Sequence, residues 1–262
     1  MHIPILYEDK DLLVINKPAG LIVHADGKTE EPTLVDWLLE KYPEIKDVGE
    51  PMEVKSHKVH KVSKAEGEEK DFQLSTFNFT TIPRPGIVHR IDRETSGCLI
   101  IAKNQETFLF LKKQFQERTI AKTYKAIVWG SVKKDEGIID VPIGRSKNDF
   151  RQWSAQRGAR GEMREAITEY KVLKRFEKDG EQFSLVEVSP KTGRTHQIRV
   201  HFKYLNYPIV CDSLYAPNRA CPLGFSRLAL HAAEIKFTHP NGSKMNIEAP
   251  LPEDFNHVLK ND

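Results

Sequence analysis

Short apolar runs separated by charged or turn-forming residues dominate the chain. Asp11–Asn16 (DLLVIN) is one such run, stopped by Lys17-Pro18-Ala19-Gly20, and predicts a strand followed by a turn. Thr33 is a good helix N-cap, and LVDWLLEKY after it predicts a first helix reaching the break at Pro43. Cys98–Ala102 predicts a buried strand. Asn104 then caps a helix on which Phe108, Leu111, Lys112 and Phe115 form a mostly apolar stripe. Lys122–Trp129, Ile167–Phe176 and Phe183–Val188 alternate or run apolar as strands do. After Thr195 the period changes: Ile198, Phe202 and Leu205 recur at helical spacing, and Asn206 can end that helix. Strands outnumber helices and come in adjacent groups. The expected class is therefore α+β: a central, mostly antiparallel mixed sheet flanked by helices and loops.

Two stretches interrupt this order. Residues 46–80 pair a Lys/Glu/His/Ser-rich block with FQLSTFNFTTI, whose alternation predicts a protruding hairpin turning near Gly67. Residues 144–165 hold Arg145, Lys147, Arg151, Arg157, Arg160 and Arg164 around Trp153, with few acidic residues, and predict a local basic loop.

With 262 residues, the chain is long enough for a substantial core, and we expect one domain over 1–262. Hydrophobic residues at 39% and charged residues at 29% fit a globular protein, and no apolar run is long enough to span a bilayer. A net charge of +3 excludes a strongly basic tail but not a basic groove. The N-terminus has no signal-peptide layout. Cys98, Cys211 and Cys221 are too few and too irregularly spaced for a disulfide framework or a zinc site, so the expected setting is the reducing cytoplasm.

Two strings carry candidate chemistry. In RPGIVHRIDRETSG (Arg84–Gly97), Asp92 sits in a loop between two rigid pieces, flanked by His89, Arg90 and Arg93. Taken alone, an ordinary turn aspartate paired with an arginine explains it equally well. In EVSPKTGRTHQIRVHF (Glu187–Phe202), a strand, a Gly193 turn and a helix start near Thr195 place His196, Arg199 and Lys203 on one polar face. Such a face at a helix start suits a phosphate or carboxylate, although a solvated amphipathic helix has the same pattern. NKPAGLIVH (Asn16–His24) reads as a turn between two strands, and Tyr124 in KTYKAIVW as a strand aromatic.

Taken in order, NKPAGLIVH, RPGIVHRIDRETSG, KTYKAIVWG, TGRTHQIRVHF, YPIVCDSLYA and RLALHAAEIKFTHP resemble the RluA family of pseudouridine synthases from Tyr7 to about Pro252. The resemblance implies isomerisation of uridine to pseudouridine in structured RNA, tRNA or rRNA with tRNA favoured. It further implies no metal or organic cofactor, no DNA or membrane partner, and a monomer. It makes Asp92 the catalytic carboxylate, Arg199 its partner, and Tyr124 the aromatic that stacks on the base and takes part in proton removal at C5. Arg90 fills the space left by the flipped nucleotide, and His89, Arg194 and His196 support the site or contact RNA. The chain departs from the family pattern at Cys211 and Ala216, where glycines are usual, and residues 46–80 look like an insertion. We expect no small N-terminal RNA-binding domain of the S4 kind, so that RNA selection is expected to rest on the catalytic domain and its loops. Two rivals have different consequences: a non-catalytic RNA binder on the same fold would have a damaged site, and a metal-dependent hydrolase would use His89, His196 and His201.

Overall fold

The computed structural model describes residues 1–25, 30–61, 73–147, 149–156 and 159–260. Its centre is one nine-stranded sheet. The first half supplies β1 (Ile5–Glu8), β2 (Leu12–Lys17) and, after an excursion, β5 (Ser96–Ala102). The second half supplies β6 (Ala121–Trp129), β7 (Glu136–Asp140), β11 (Ile167–Lys178) and β12 (Glu181–Pro190), and late in the chain come β13 (Leu230–Thr238) and β14 (Lys244–Glu248). Across the sheet the order is β1-β2-β5-β13-β6-β12-β11-β7, with β14 beside the later part of β13. Every ladder between these strands is antiparallel except β13 with β5, where His231 and Ala232 pair in parallel with Ser96 and Gly97. The expected mixed, mostly antiparallel α+β architecture is what forms.

The helices start where the local chemistry directs. Thr33 opens α1 (Leu34–Lys41) with a full capping box: its hydroxyl accepts from the Asp36 N–H while Asp36 accepts from the Thr33 N–H. Such a cap contributes about 1 kcal/mol. Asn104 caps α2 (Gln105–Gln116), whose Phe108 and Leu111 are buried. The third helix, α3 (Gln197–Tyr204), begins two residues later than the sequence suggests, because His196 takes a left-handed conformation with φ of 55°. Asn206, also left-handed at φ 64°, ends it as expected. A last helix, α4 (Glu253–Lys260), covers the second half.

Several expectations need correction. The polar face of α3 is only partly solvated: of His196, Arg199 and Lys203, only Lys203 is exposed, and Arg199 is buried together with Gln197 and His201. The basic stretch after residue 143 is not a loop but a small sheet in which β8 (Ile143–Arg145) lies between β10 (Arg160–Arg164) and β9 (Trp153–Ser154). NKPAGLIVH does not join two strands; it leaves β2 and leads through a single bridge at Ile22–Thr33 into α1. Cys211 and Cys221 form a disulfide. The expected hairpin is present as β3 (Met52–Lys61) paired antiparallel with β4 (Gln73–Ile82), and its turn near Gly67 lies outside the described residues.

The core divides as the sheet does. One cluster packs β6, β11 and β12 against α3, Phe225 and Phe255; another packs β2 and β5 against α1. Tyr124 touches both, so its ring stands on the seam between the halves.

Candidate active site

Asp92 belongs to the first half, in the loop between β4 and β5. Backbone geometry pins this loop at both ends. Gly86 has φ of 64°, and a Cβ there would lie 2.2 Å from the Ala102 carbonyl oxygen. Gly97 has φ of 113°, and its Cβ would lie 2.2 Å from the Ala232 carbonyl oxygen across the parallel pairing. Neither position can carry a side chain without moving the sheet. Between them, the Ile100 N–H donates to His89 Nε2 at 3.0 Å, and the Gly20 N–H donates to the Arg93 carbonyl at 2.9 Å.

The most unusual support is Lys17, which is fully buried. Its ammonium donates to the carbonyls of Pro18 (2.7 Å), Leu21 (2.8 Å) and Arg93 (2.9 Å), tying the turn after β2 to the residue following Asp92. Burial pushes Lys17 down to about 7, against the attraction of Glu94 and Asp92. The sequence gives this lysine no role; a lysine ending an apolar strand is its only signal.

Arg199 comes from the second half. Its Nη1 donates to Asp92 Oδ2 at 3.3 Å, while Nε and Nη2 donate to Asp212 Oδ2 and Oδ1, each at 2.8 Å. Burial works against the Arg199 charge, but the paired hydrogen bonds to Asp212 and the nearby Asp92 outweigh it and raise the pKa. Asp212 Oδ1 also accepts from the N–H groups of Leu214 and Tyr215. Sequence reasoning missed Asp212, although it lies within one of the motif blocks. A buried arginine needs a buried anion, and Asp212 supplies it alongside Asp92.

His196 faces the same carboxylate, with Nε2 4.0 Å from Asp92 Oδ1. Its Nδ1 lies 2.9 Å from Tyr215 Oη, which already accepts from the Trp153 N–H at 3.0 Å. The imidazole thus sits between the Tyr215 hydroxyl and the Asp92 carboxylate. Burial lowers the His196 pKa and so favours the neutral imidazole.

These groups open into a cavity of about 500 Å³ lined by, among others, Arg84, Arg90, Asp92, Tyr124, Arg194 and Arg199. That volume suits a nucleotide-sized guest. Burial first, and the charge of Asp92 second, raise Tyr124 well above the ordinary phenol range, so its ring carries a protonated hydroxyl at neutral pH. Two buried polar atoms on the cavity wall, Thr95 Oγ1 and Arg84 Nε, have no hydrogen-bond partner among the described residues. Unpartnered polar atoms at a cavity wall are costly unless a guest satisfies them.

The other expected residues are placed as follows. Arg90 is exposed at the mouth, with Nη1 3.4 Å from His24 Nε2. Arg194 lines the cavity while its Nε donates to the Glu165 carbonyl at 2.9 Å. His89 also reaches the cavity wall, but as a strut: its ring stacks on Phe115 at 4.6 Å, and burial pushes it down to about 3. A metal site using His89, His196 and His201 has no geometric basis, because both ring nitrogens of His201 are occupied by Thr168 Oγ1 and the Val141 carbonyl.

A carboxylate held by a buried arginine, an aromatic on the seam and several arginines thus line one cavity. The sequence profile described as RNA pseudouridylate synthase matches residues 11–204. The chain belongs to this family. An uncharacterised RNA pseudouridine synthase of Bacillus subtilis is 37% identical over all of this chain and 73% of its own length. The ribosomal large subunit pseudouridine synthase D of Pseudomonas aeruginosa is 34% identical over 99% of this chain and 71% of its own. Among solved structures, human RNA pseudouridylate synthase domain containing 4 shares the fold at a TM-score of 0.67, with 26% identity over 98% of this chain and 92% of its own. As a pseudouridine synthase, the chain isomerises uridine to pseudouridine in RNA. The non-catalytic alternative predicts a damaged site, whereas Asp92, Tyr124 and Arg199 meet in one cavity.

Proposed function

We propose that this pseudouridine synthase acts on large-subunit ribosomal RNA, with Asp92 as the carboxylate at the reacting sugar. The carrying observation is the position of Asp92 on the cavity wall, held through Arg199 from the opposite half of the sheet. Support for ribosomal RNA over the tRNA favoured by sequence comes from similarity, over 99% of this chain, to relatives named for the ribosomal large subunit. RNA substrate and reaction are both compatible with a cytoplasmic enzyme, and among the described residues no helix is long and apolar enough to cross a membrane.

In the proposed sequence the target uridine leaves its stack, at a cost of a few kcal/mol, and Arg90 at the cavity mouth fills the vacated space. Breaking the N1–C1′ bond develops positive charge on the ribose, which the Asp92 carboxylate stabilises or traps. Arg199 holds that carboxylate in place through its 3.3 Å contact. The freed uracil turns against the Tyr124 ring inside a cavity that excludes water, and C5 bonds to C1′. N1 gains a proton and C5 loses one. Because burial keeps Tyr124 a protonated phenol, the C5 proton goes to the Asp92 carboxylate or to water rather than to a phenolate. Arg194 and the basic strands β8 and β10 would hold neighbouring phosphates.

The test is nucleoside analysis and site mapping of unmodified large-subunit rRNA and tRNA transcripts after incubation with the wild type and with Asp92→Ala, EDTA present. Pseudouridine in rRNA with the wild type alone is the expected result. Product confined to tRNA would overturn the substrate, and product with Asp92→Ala would overturn the role of the carboxylate.

A further inference from the structure

The segment from Cys211 to Cys221 carries Asp212 and Tyr215, the two residues that hold Arg199 and His196. Its start is stitched into the sheet: the Val210 N–H donates to the Ile127 carbonyl, and the Val210 carbonyl accepts from Ala229. Beyond its far end, Phe225 is buried in the core. Between these anchors the disulfide closes a loop of ten residues' separation, its Cα atoms 4.7 Å apart.

Cys211 has φ of 58°, a left-handed conformation that glycine adopts freely and a cysteine does not. The bond to Cys221 tethers the chain at this position. The residue directly after this strained position is Asp212. A short chain of contacts therefore runs from the sulfur bridge to the reacting carboxylate: Cys211, Asp212, Arg199, Asp92. The bridge is also reachable, because Cys221 is exposed. When it opens, an acceptor is already in place for the new thiol, since the Phe225 carbonyl lies 3.0 Å from Cys221 Sγ. Cys98, by contrast, is buried, and burial pushes its thiol up to about 12, so it takes no part.

We propose that Cys211 and Cys221 are a site of reversible thiol–disulfide exchange, and that the bond keeps Asp212 set against Arg199. The co-reactants are a small-molecule disulfide in one direction and a dithiol in the other. For closure, the Cys221 thiolate attacks the small disulfide and expels one thiol; the Cys211 thiolate then attacks Cys221 Sγ and expels the second. Two protein thiols and one disulfide become one protein disulfide and two small thiols, so atoms and electrons balance. In the reduced protein Cys211 is released from its left-handed conformation, Asp212 loosens from Arg199, and Asp92 loses its fixed partner. The inference rests on Asp92 and Arg199 being the reacting pair, which Asp92→Ala tests separately.

The full chain would be equilibrated in buffers of graded reduced-to-oxidised dithiothreitol, quenched with iodoacetamide and mapped by mass, which reads the bond without RNA. In parallel, kcat and KM for pseudouridine formation would be measured on unmodified rRNA and tRNA transcripts together. We expect Cys211 and Cys221 to become alkylated in step, with kcat falling about tenfold on reduction and KM changing less than about twofold. Cys221→Ser should run at the reduced rate in either buffer. Cys211→Gly, which accepts the backbone conformation without a tether, should run at the oxidised rate in either buffer. Full alkylation of both thiols under oxidising conditions, or equal kcat in oxidised and reduced wild type, would overturn the proposal. The wild-type titration decides the matter even if Cys221→Ser fails to fold.

Discussion

The two halves that meet at the site solve one problem by different means. The first half fixes Asp92 mainly through backbone: Gly86 and Gly97 press the loop onto the sheet, and Lys17 gathers three carbonyls around one ammonium. The second half fixes Arg199 through charge, in the paired contact with Asp212. The first half relies on glycine turns and on one ammonium gathering neutral carbonyls, whereas the second relies on direct pairing of opposite charges. The contrast places Asp92 on a side held mainly by backbone contacts and Arg199 on a side held mainly by ion pairing.

That contrast can be broken in several ways. The largest effect should come from Asp92→Ala, with pseudouridine formation down at least about 10³-fold and little change in melting temperature, because the loop is held without the carboxylate. Next, Asp212→Ala should destabilise the protein by about 3–5 kcal/mol in denaturant titrations, since it leaves the buried Arg199 guanidinium without its main partner. An effect below about 1 kcal/mol would show that Arg199 is not held mainly by ion pairing.

The residues behind these predictions were unequally legible in the sequence. Strand and helix positions followed from periodicity and caps, as Thr33 and Asn104 illustrate. Asp92, Tyr124 and Arg199 followed from the resemblance, and their convergence on one cavity follows from the fold. Lys17 and Asp212 stayed hidden because burial of a charge is a tertiary fact: each is neutralised by groups distant in the chain or across a turn. The Cys211–Cys221 bond stayed hidden for the same reason, since spacing alone says nothing about which loop ends meet. The β8–β10 sheet was obscured by arginines, whose charge suggests a loop even where the backbone is paired.

Lys17→Met sharpens the first half of the comparison. The folded pKa of Lys17, about 7, lies below its ordinary value of 10.5, so between these pH values the unfolded chain binds more protons than the folded one. Stability should therefore rise as pH goes from 7 toward 10.5, and this component should vanish in Lys17→Met, as unfolding at pH 7 and 9.5 would read. The smallest effect should come from Arg145→Gln with Arg164→Gln. Both are exposed on the basic sheet, and Arg145 stacks 4.4 Å above Trp153. Their loss should lower the salt slope of RNA binding by about 1 per phosphate contact, with kcat unchanged.

The single parallel pairing in the main sheet has a consequence for how the molecule comes into being. The Ser96 hydroxyl, next to Gly97, is 2.8 Å from a ring nitrogen of His231, a residue 135 positions later. During synthesis β5, buried at every position in the finished protein, can find β2 early but must wait for β13 with its other edge open. Closing so distant a contact is entropically slow, and an open apolar edge invites pairing with other chains. The junction that completes the seam is thus also a late and vulnerable step in folding, so that a nascent chain cannot assemble a working site until almost all of it has been made.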